Sequence, residues 1–210
     1  MQRFYSVLIG YVFGCFQSAE WIQRWLRLQG DIREQGTGIP GTANMIQTYG
    51  AKAGILTFLT DALKAGLAAW LCKGVFPMLS GDTAIAYAGA GVISGHCWPA
   101  HRKFHGGRGI ACQYGLAVVF GWEHFLILTA GEVFGLMLSR LMIGGAIGAA
   151  IMFFAAAWIL PYGWEVRLMC GVIWGIIMIR HIEKFKSIAK GQEPRFSFAK
   201  FPSMLRGGKQ

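Results

Sequence analysis

Residues 52–72 read KAGILTFLTDALKAGLAAWLC, a run of 21 residues with three charged side chains. About 20 mostly apolar residues suffice for a helix to cross the hydrocarbon core of a bilayer. This run meets that requirement, so it is read as a membrane-spanning helix. Two of its charges, Asp61 and Lys64, lie well inside it and three residues apart, which places them on one helical face. An ionisable residue at mid-membrane costs about 2.5–3.5 kcal/mol on insertion scales and needs a partner or a task. Either the two neutralise each other as a structural pair, or Lys64 holds a phosphate that Asp61 orients. The spacing leaves both open.

Comparable runs lie on either side, at 4–23, 83–99, 109–122, 124–139, 141–160 and 166–180. The run at 109–122 is short, a full span or a half-span. The opening MQRFYSVLIGYVFGCF lacks a small-residue cleavage site and is read as the first span, not a signal peptide. Glu132, alone in the fifth run, is packing polarity, a bundle hydrogen bond or the mark of a misplaced boundary. With 54% hydrophobic and 14% charged residues, the chain is too apolar for an ordinary soluble domain. The expectation is an all-α polytopic membrane protein, a compact bundle of about seven helices. One membrane domain over 1–195 would be followed by a short basic tail, 196–210.

The formal charge of +10 raises nucleic acid as a partner, but the basic residues cluster beside apolar runs and form no separate polar domain. Placing 24–50 in the cytoplasm puts 15 of the 20 Lys and Arg residues on that side. The positive-inside rule then sets the N-terminus outside and the C-terminus in the cytoplasm. The five cysteines are scattered in apolar context without a CxxC pair, which suits buried thiols better than disulfides or metal ligands. The histidines show no HExxH or similar metal-ligand spacing.

Three polar stretches then share the cytoplasmic face: GDIREQGTGIPGTANMIQTYG (30–50), GHCWPAHRKFHGGRGIA (95–111) and RHIEKFKSIAKGQEPR (180–195). Each joins glycine or a helix end to basic side chains. Glycine lets backbone N–H groups approach an anion, helix N-termini carry unpaired donors, and Arg binds phosphate in a bidentate way. Any one stretch alone reads as a topology signal or headgroup anchor. The three together point to a site for phosphorylated substrates.

In order and spacing the three stretches resemble the signatures of the bacterial acyl-phosphate:glycerol-3-phosphate acyltransferases, the PlsY family. The first signature, roughly D-I-R-x-x-G-S-G-N-x-G-A-T-N, is matched at Asp31, Ile32, Arg33, Gly36, Gly38, Gly41 and Asn44. The K-A-G and D-x-x-K-G elements are similar to KAG at 52–54 and DALKAG at 61–66. The second and third signatures resemble GHCWPAHRKFHGGRGIAC, and HIEKF with GQE at 191–193. The resemblance implies transfer of a fatty acyl group from acyl phosphate to glycerol 3-phosphate, giving lysophosphatidic acid, in the bacterial inner membrane among membrane lipids, with no metal or covalent cofactor. It implies that Thr37, Asn44, Arg108 and His181 position phosphate and hydroxyl. Arg33, Gly36, Gly38, Gly41, Asp61, Lys64, His96, His105, Gly106, Gly107, Gly109 and Lys184 would line or support the substrate site. The chain departs from the pattern at Thr37 for Ser, Ile39 for Asn, Gln47 for Arg, His105 and Arg108 for Lys, Cys112 for Thr, Ile182 for Arg and Lys184 for Asn. Those departures keep a second reading open, a non-catalytic or substrate-shifted relative that binds phospholipid precursors or an active partner enzyme. A small-solute transporter fits less well, because the chain shows no inverted repeat of broken helices.

Overall fold

The computed structural model describes residues 1–189 and 191. Nine α-helices are seen among them: α1 Gln2–Cys15, α2 Ser18–Trp25, α3 Thr42–Tyr49, α4 Ala51–Val75, α5 Gly81–Cys97, α6 Ile110–Phe120, α7 Trp122–Ser139, α8 Met142–Ile159 and α9 Trp164–Ala189. A single 3-10 turn covers Ala100–Arg102. By length and composition α4 and α8 are each long and apolar enough to cross a membrane. At 1.5 Å per residue α6, with 11 residues, is about 16 Å long, half of a hydrocarbon core of about 30 Å.

The expected first span, 4–23, is not continuous. It breaks at Phe16–Gln17, where both residues leave helical dihedrals, and resumes as α2. The break has a physical cause in α4. The freed Phe16 carbonyl accepts a 2.6 Å hydrogen bond from Lys64 Nζ, and Ser18, first residue of α2, donates to Asp61 Oδ1 at 2.7 Å. The charged pair inside α4 therefore replaces the helical hydrogen bonds that the break gives up.

Glycine sets the helix contacts. α1 buries Ser6, Gly10 and Gly14, a stripe of small residues four apart. A methyl group added at Gly10 would strike the Ala88 carbonyl, and one at Gly14 the Val92 carbonyl. In return Gly91 lies on Val7 and Gly95 on Tyr11. Contact positions rise together on the two helices, so α1 and α5 run parallel with their backbones touching. α7 and α8 use the same spacing in the opposite sense: Gly131 meets Gly148 and Gly135 meets Gly144. Lipid tails are as apolar as the side chains, so close van der Waals approach through small residues is what holds such helices together.

The larger side chains fill the remaining centre, with Ile85, Ile93, Leu116, Leu128, Phe153, Ile173 and Ile177 fully buried. Glu132 is a bundle hydrogen bond: Tyr114 of α6 donates its hydroxyl to it. At the far end of the bundle Arg3 and Glu165 join the starts of α1 and α9 by two hydrogen bonds of 2.7 and 2.6 Å.

Candidate functional site

The ends of α1, α5 and α9 and the starts of α4 and α6 meet at one end of the bundle, with the first two polar stretches between helices there and the described start of the third within α9. The first loop, 26–41, is tied down from the helices on either side. Gln23 of α2 donates to the Gly30 carbonyl and accepts from the Ile32 N–H at 3.3 Å. Asn44 of α3 is buried and uses both ends of its amide: Nδ2 donates to the Ile32 and Gln35 carbonyls at 3.1 and 3.0 Å, and Oδ1 accepts from Thr37 N–H at 2.9 Å. Gly36 and Gly38, at φ +58° and +69°, let the loop fold back over Asn44. A side chain at Gly36 would also collide with that amide. The loop so formed exposes Thr37, while Gly41 is the residue before α3 and has open space beside it. Arg33 is exposed and grips Asp31 through Nε and Nη2, at 3.0 and 2.5 Å. This pairing pushes the Asp31 carboxyl down to about 2.

The second loop lies against the first. Gly106 and Gly107 are buried, and Gly107 N–H donates to the His96 carbonyl at 3.0 Å. A methyl at Gly107 would enter the His96 ring and come within 3.0 Å of the Pro40 carbonyl. Pro40 belongs to the first loop, so this is where the two glycine-rich stretches touch. Arg180 of α9 joins them, donating Nε to the Gly107 carbonyl at 3.0 Å and Nη2 to the Gly106 carbonyl at 2.7 Å. Gly109 follows at φ +90° and starts α6, its Cα facing Ile93 and Ile177. Arg108 between them is half-buried. His105 is exposed, with Nδ1 on the Lys103 carbonyl at 2.7 Å.

Below the loops lies a buried network. Asp61, Lys64 and His96 are 2%, 6% and 4% exposed. Lys64 Nζ donates to Asp61 Oδ1 at 2.7 Å, to the Phe16 carbonyl at 2.6 Å and to His96 Nδ1 at 2.9 Å. An ammonium has three N–H groups, and all three are taken by the protein. Of the two readings left open, the geometry favours the structural pair of Lys64 with Asp61, since no Lys64 N–H is left to donate to a phosphate. An ammonium can only donate, so His96 Nδ1 is the acceptor and the ring proton sits on Nε2, towards Gly107. Asp61, His96 and Cys112 could converge on a metal ion by distance, their ligand atoms lying within 4.8 Å of one another. The Lys64 ammonium already supplies positive charge in contact with Asp61 and His96.

His181 of α9 is buried and held at Nδ1 by the Ile177 carbonyl at 2.8 Å. A carbonyl only accepts, so Nδ1 carries the proton and Nε2 is left as acceptor. Lys184, one turn further, is half-buried. Gln192 and Glu193 of GQE, and the basic tail, lie outside the described residues.

Arg180, Ser18, Glu20 and Gln23 are the parts that sequence reasoning does not assign. Glu20 is buried and pairs with Arg102 of the 3-10 turn. Its signal, and that of Ser18 and Gln23, is polarity inside an apolar run. Arg180 precedes a matched histidine and looks like one more border arginine.

A family model described as glycerol-3-phosphate acyltransferase matches residues 4–191. A glycerol-3-phosphate acyltransferase of Maricaulis maris is 35% identical over 89% of this chain and 83% of its own length. Another, from Hahella chejuensis, is 32% identical over 91% and 96%. Among solved structures, PlsY (YgiH), an integral membrane glycerol 3-phosphate acyltransferase, superposes in its glycerol 3-phosphate form with a TM-score of 0.84. It is 26% identical and the match covers 95% of this chain and 98% of that one. Its lysophosphatidic acid form gives 0.83 at 25% identity.

Proposed function

The chain belongs to the glycerol-3-phosphate acyltransferase family, and from that premise we propose how this member works. It is an integral membrane acyltransferase whose acyl acceptor is glycerol 3-phosphate. The donor in our reading is an acyl phosphate. The observation that carries this reading is the junction at Gly107, where both glycine-rich loops and α9 converge, in a fold shared with a glycerol 3-phosphate form.

An acyl phosphate is a mixed anhydride. The glycerol hydroxyl attacks its carbonyl carbon, a carbon–oxygen bond forms, and the bond to the phosphate oxygen breaks. The acyl glycerol phosphate and inorganic phosphate are the products. Holding both phosphates and aligning the hydroxyl supplies much of the rate. We assign the cationic role to Arg108 and Lys184, and the proton acceptor to His181, whose Nε2 is the accepting nitrogen. Thr37 offers a hydroxyl at the exposed turn that Asn44 braces. Arg33 and His105 border the site. Asp61, Lys64 and His96 position it from beneath and do not touch substrate.

Seven segments, α1 and α4–α9, would form the bundle within the inner membrane of a bacterium, with the N-terminus outside and the site in the cytoplasm. The parallel α1/α5 and antiparallel α7/α8 contacts support that path. Residues 1–195 would be the enzyme domain, with 196–210 as a basic tail.

The test is acyl transfer by purified protein from palmitoyl phosphate to labelled glycerol 3-phosphate. We expect labelled lysophosphatidic acid, reduced at least about a hundredfold in Arg108→Ala, about 2.7 kcal/mol of transition-state stabilisation. A folded protein that gives no product beside an active relative would overturn the reading and leave a non-catalytic relative.

A further inference from the structure

α2 carries a surface that the acyl-transfer reading does not use. Its buried residues are Ser18, Ala19, Glu20, Ile22 and Gln23. Its outer face presents Trp21 and Trp25, 48% and 59% exposed. Their rings stack at 5.9 Å and 13°, with Phe16 beside Trp21 at 6.2 Å. Arg24 lies between the tryptophans in sequence and Arg27 follows the helix, both exposed. A cleft of about 190 Å³ opens beside them, lined by both arginines and Gln23 together with Glu20, Asp31 and the site-bordering Arg33.

Charge in this cleft is unevenly matched. Glu20 is taken by Arg102, and Asp31 by Arg33. Among the described residues Arg24 and Arg27 make no side-chain ion pair or hydrogen bond. The backbone adds a second observation. Leu28 N–H bonds the Gln23 carbonyl and Arg27 N–H the Arg24 carbonyl, the two bonds of a Schellman cap. Arg27 itself, the C′ residue of this cap, adopts φ +53°. Glycine takes that conformation without steric cost, yet an arginine stands there. A strained non-glycine residue beside an unneutralised cleft points to a use for its side chain.

We propose that α2 and this cleft bind the headgroup of an anionic phospholipid, Arg24 and Arg27 holding its phosphate while Trp21 and Trp25 sit at headgroup level. Tryptophans are enriched at that depth because one end of the ring is apolar and the other wet. The paired arginines supply the charge preference. The site rests only on the chain being a membrane protein, not on the acyl-transfer reading.

The experiment reconstitutes the full chain in phosphatidylcholine nanodiscs with traces of spin-labelled phosphatidylglycerol or phosphatidylcholine. The motionally restricted fraction of each label is then compared. Wild type should favour phosphatidylglycerol, by about fivefold per arginine. The variant Arg24→Gln/Arg27→Gly should bring the ratio close to one. Glycine suits the left-handed position, so the helix cap survives and the melting temperature of this variant checks that the fold is intact. Lys73→Gln, in the last turn of α4 at the other end of the bundle, should keep the preference. A preference unchanged in the double variant overturns the proposal. So does its loss on adding a few millimolar inorganic phosphate, which would make the cleft a site for free phosphate.

Discussion

Two acid–base pairs in this protein look alike in sequence and behave oppositely in space. Asp31 and Arg33 are two residues apart, Asp61 and Lys64 three. Their shortest N–O distances are 2.5 and 2.7 Å. The first pair is on the surface, its side chains 32% and 46% exposed; the second is 3% and 6% exposed. Water screens the first, so either member can be lost cheaply. Lipid and packed helices surround the second, and each charge depends on the other and on Phe16, Ser18 and His96. A pair of charges thus says little about importance until its surroundings are known.

The widest gap between the two pairs should appear on removing one acid from each. Asp61→Ala leaves a buried ammonium unpaired and Ser18 without its acceptor. Breaking a buried pair costs about 3–5 kcal/mol, so this variant should lose its thermal transition in detergent, or shift it far downward. Asp31→Ala should shift it little. Equal shifts in a melting experiment would erase the distinction.

A smaller effect should sharpen the link from the buried pair to the loops. Gly107→Ala pushes a methyl into the His96 ring, whose other nitrogen holds Lys64. Overpacking costs about 1–3 kcal/mol. We expect the protein to stay folded and its turnover to fall at least about tenfold, on the order of 1.4 kcal/mol. Full turnover with an unchanged KM would show that the junction is not part of the working site.

The smallest effect belongs to the surface pair and depends on pH. The Asp31 carboxyl is held down at about 2 by Arg33, below its ordinary value near 3.9. Its contribution is complete above the ordinary value and fades as pH falls from about 4 through about 2. Solvent screening keeps it to a fraction of about 1 kcal/mol. The melting temperatures of wild type and Asp31→Asn should differ slightly at pH 6 and converge near pH 2. A difference that grows on acidification would reverse the sign of this coupling.

These contrasts also show what could be read in advance. The apolar runs placed α4 through α9, because one-dimensional hydrophobicity is what a bilayer selects. The family signatures singled out both glycine-rich loops, which meet at Gly107 and Pro40, and His181, which is buried in α9. The break at Phe16 was hidden, since no proline marks it, Gly14 nearby serves the contact with α5, and its cause sits in α4, some 45 residues further on. Arg180 was hidden for a related reason: its partners are backbone carbonyls of Gly106 and Gly107, and a carbonyl has no letter in the sequence. Lys64 was ambiguous because spacing cannot count how many of its N–H groups are already engaged. Asn44, matched to a signature, turned out to hold the loop through its backbone, a task that only coordinates reveal.

The parallel contact of α1 with α5 has a consequence during synthesis. Gly10 leaves the ribosome about 80 residues before the stretch of α5 it will touch, which at ~5–20 residues per second is on the order of 4–16 s. For that interval the glycine stripe of the first helix lacks the partner it packs against. Nothing downstream can complete its packing until α5 arrives, so the order of translation itself determines when this bundle first becomes stable.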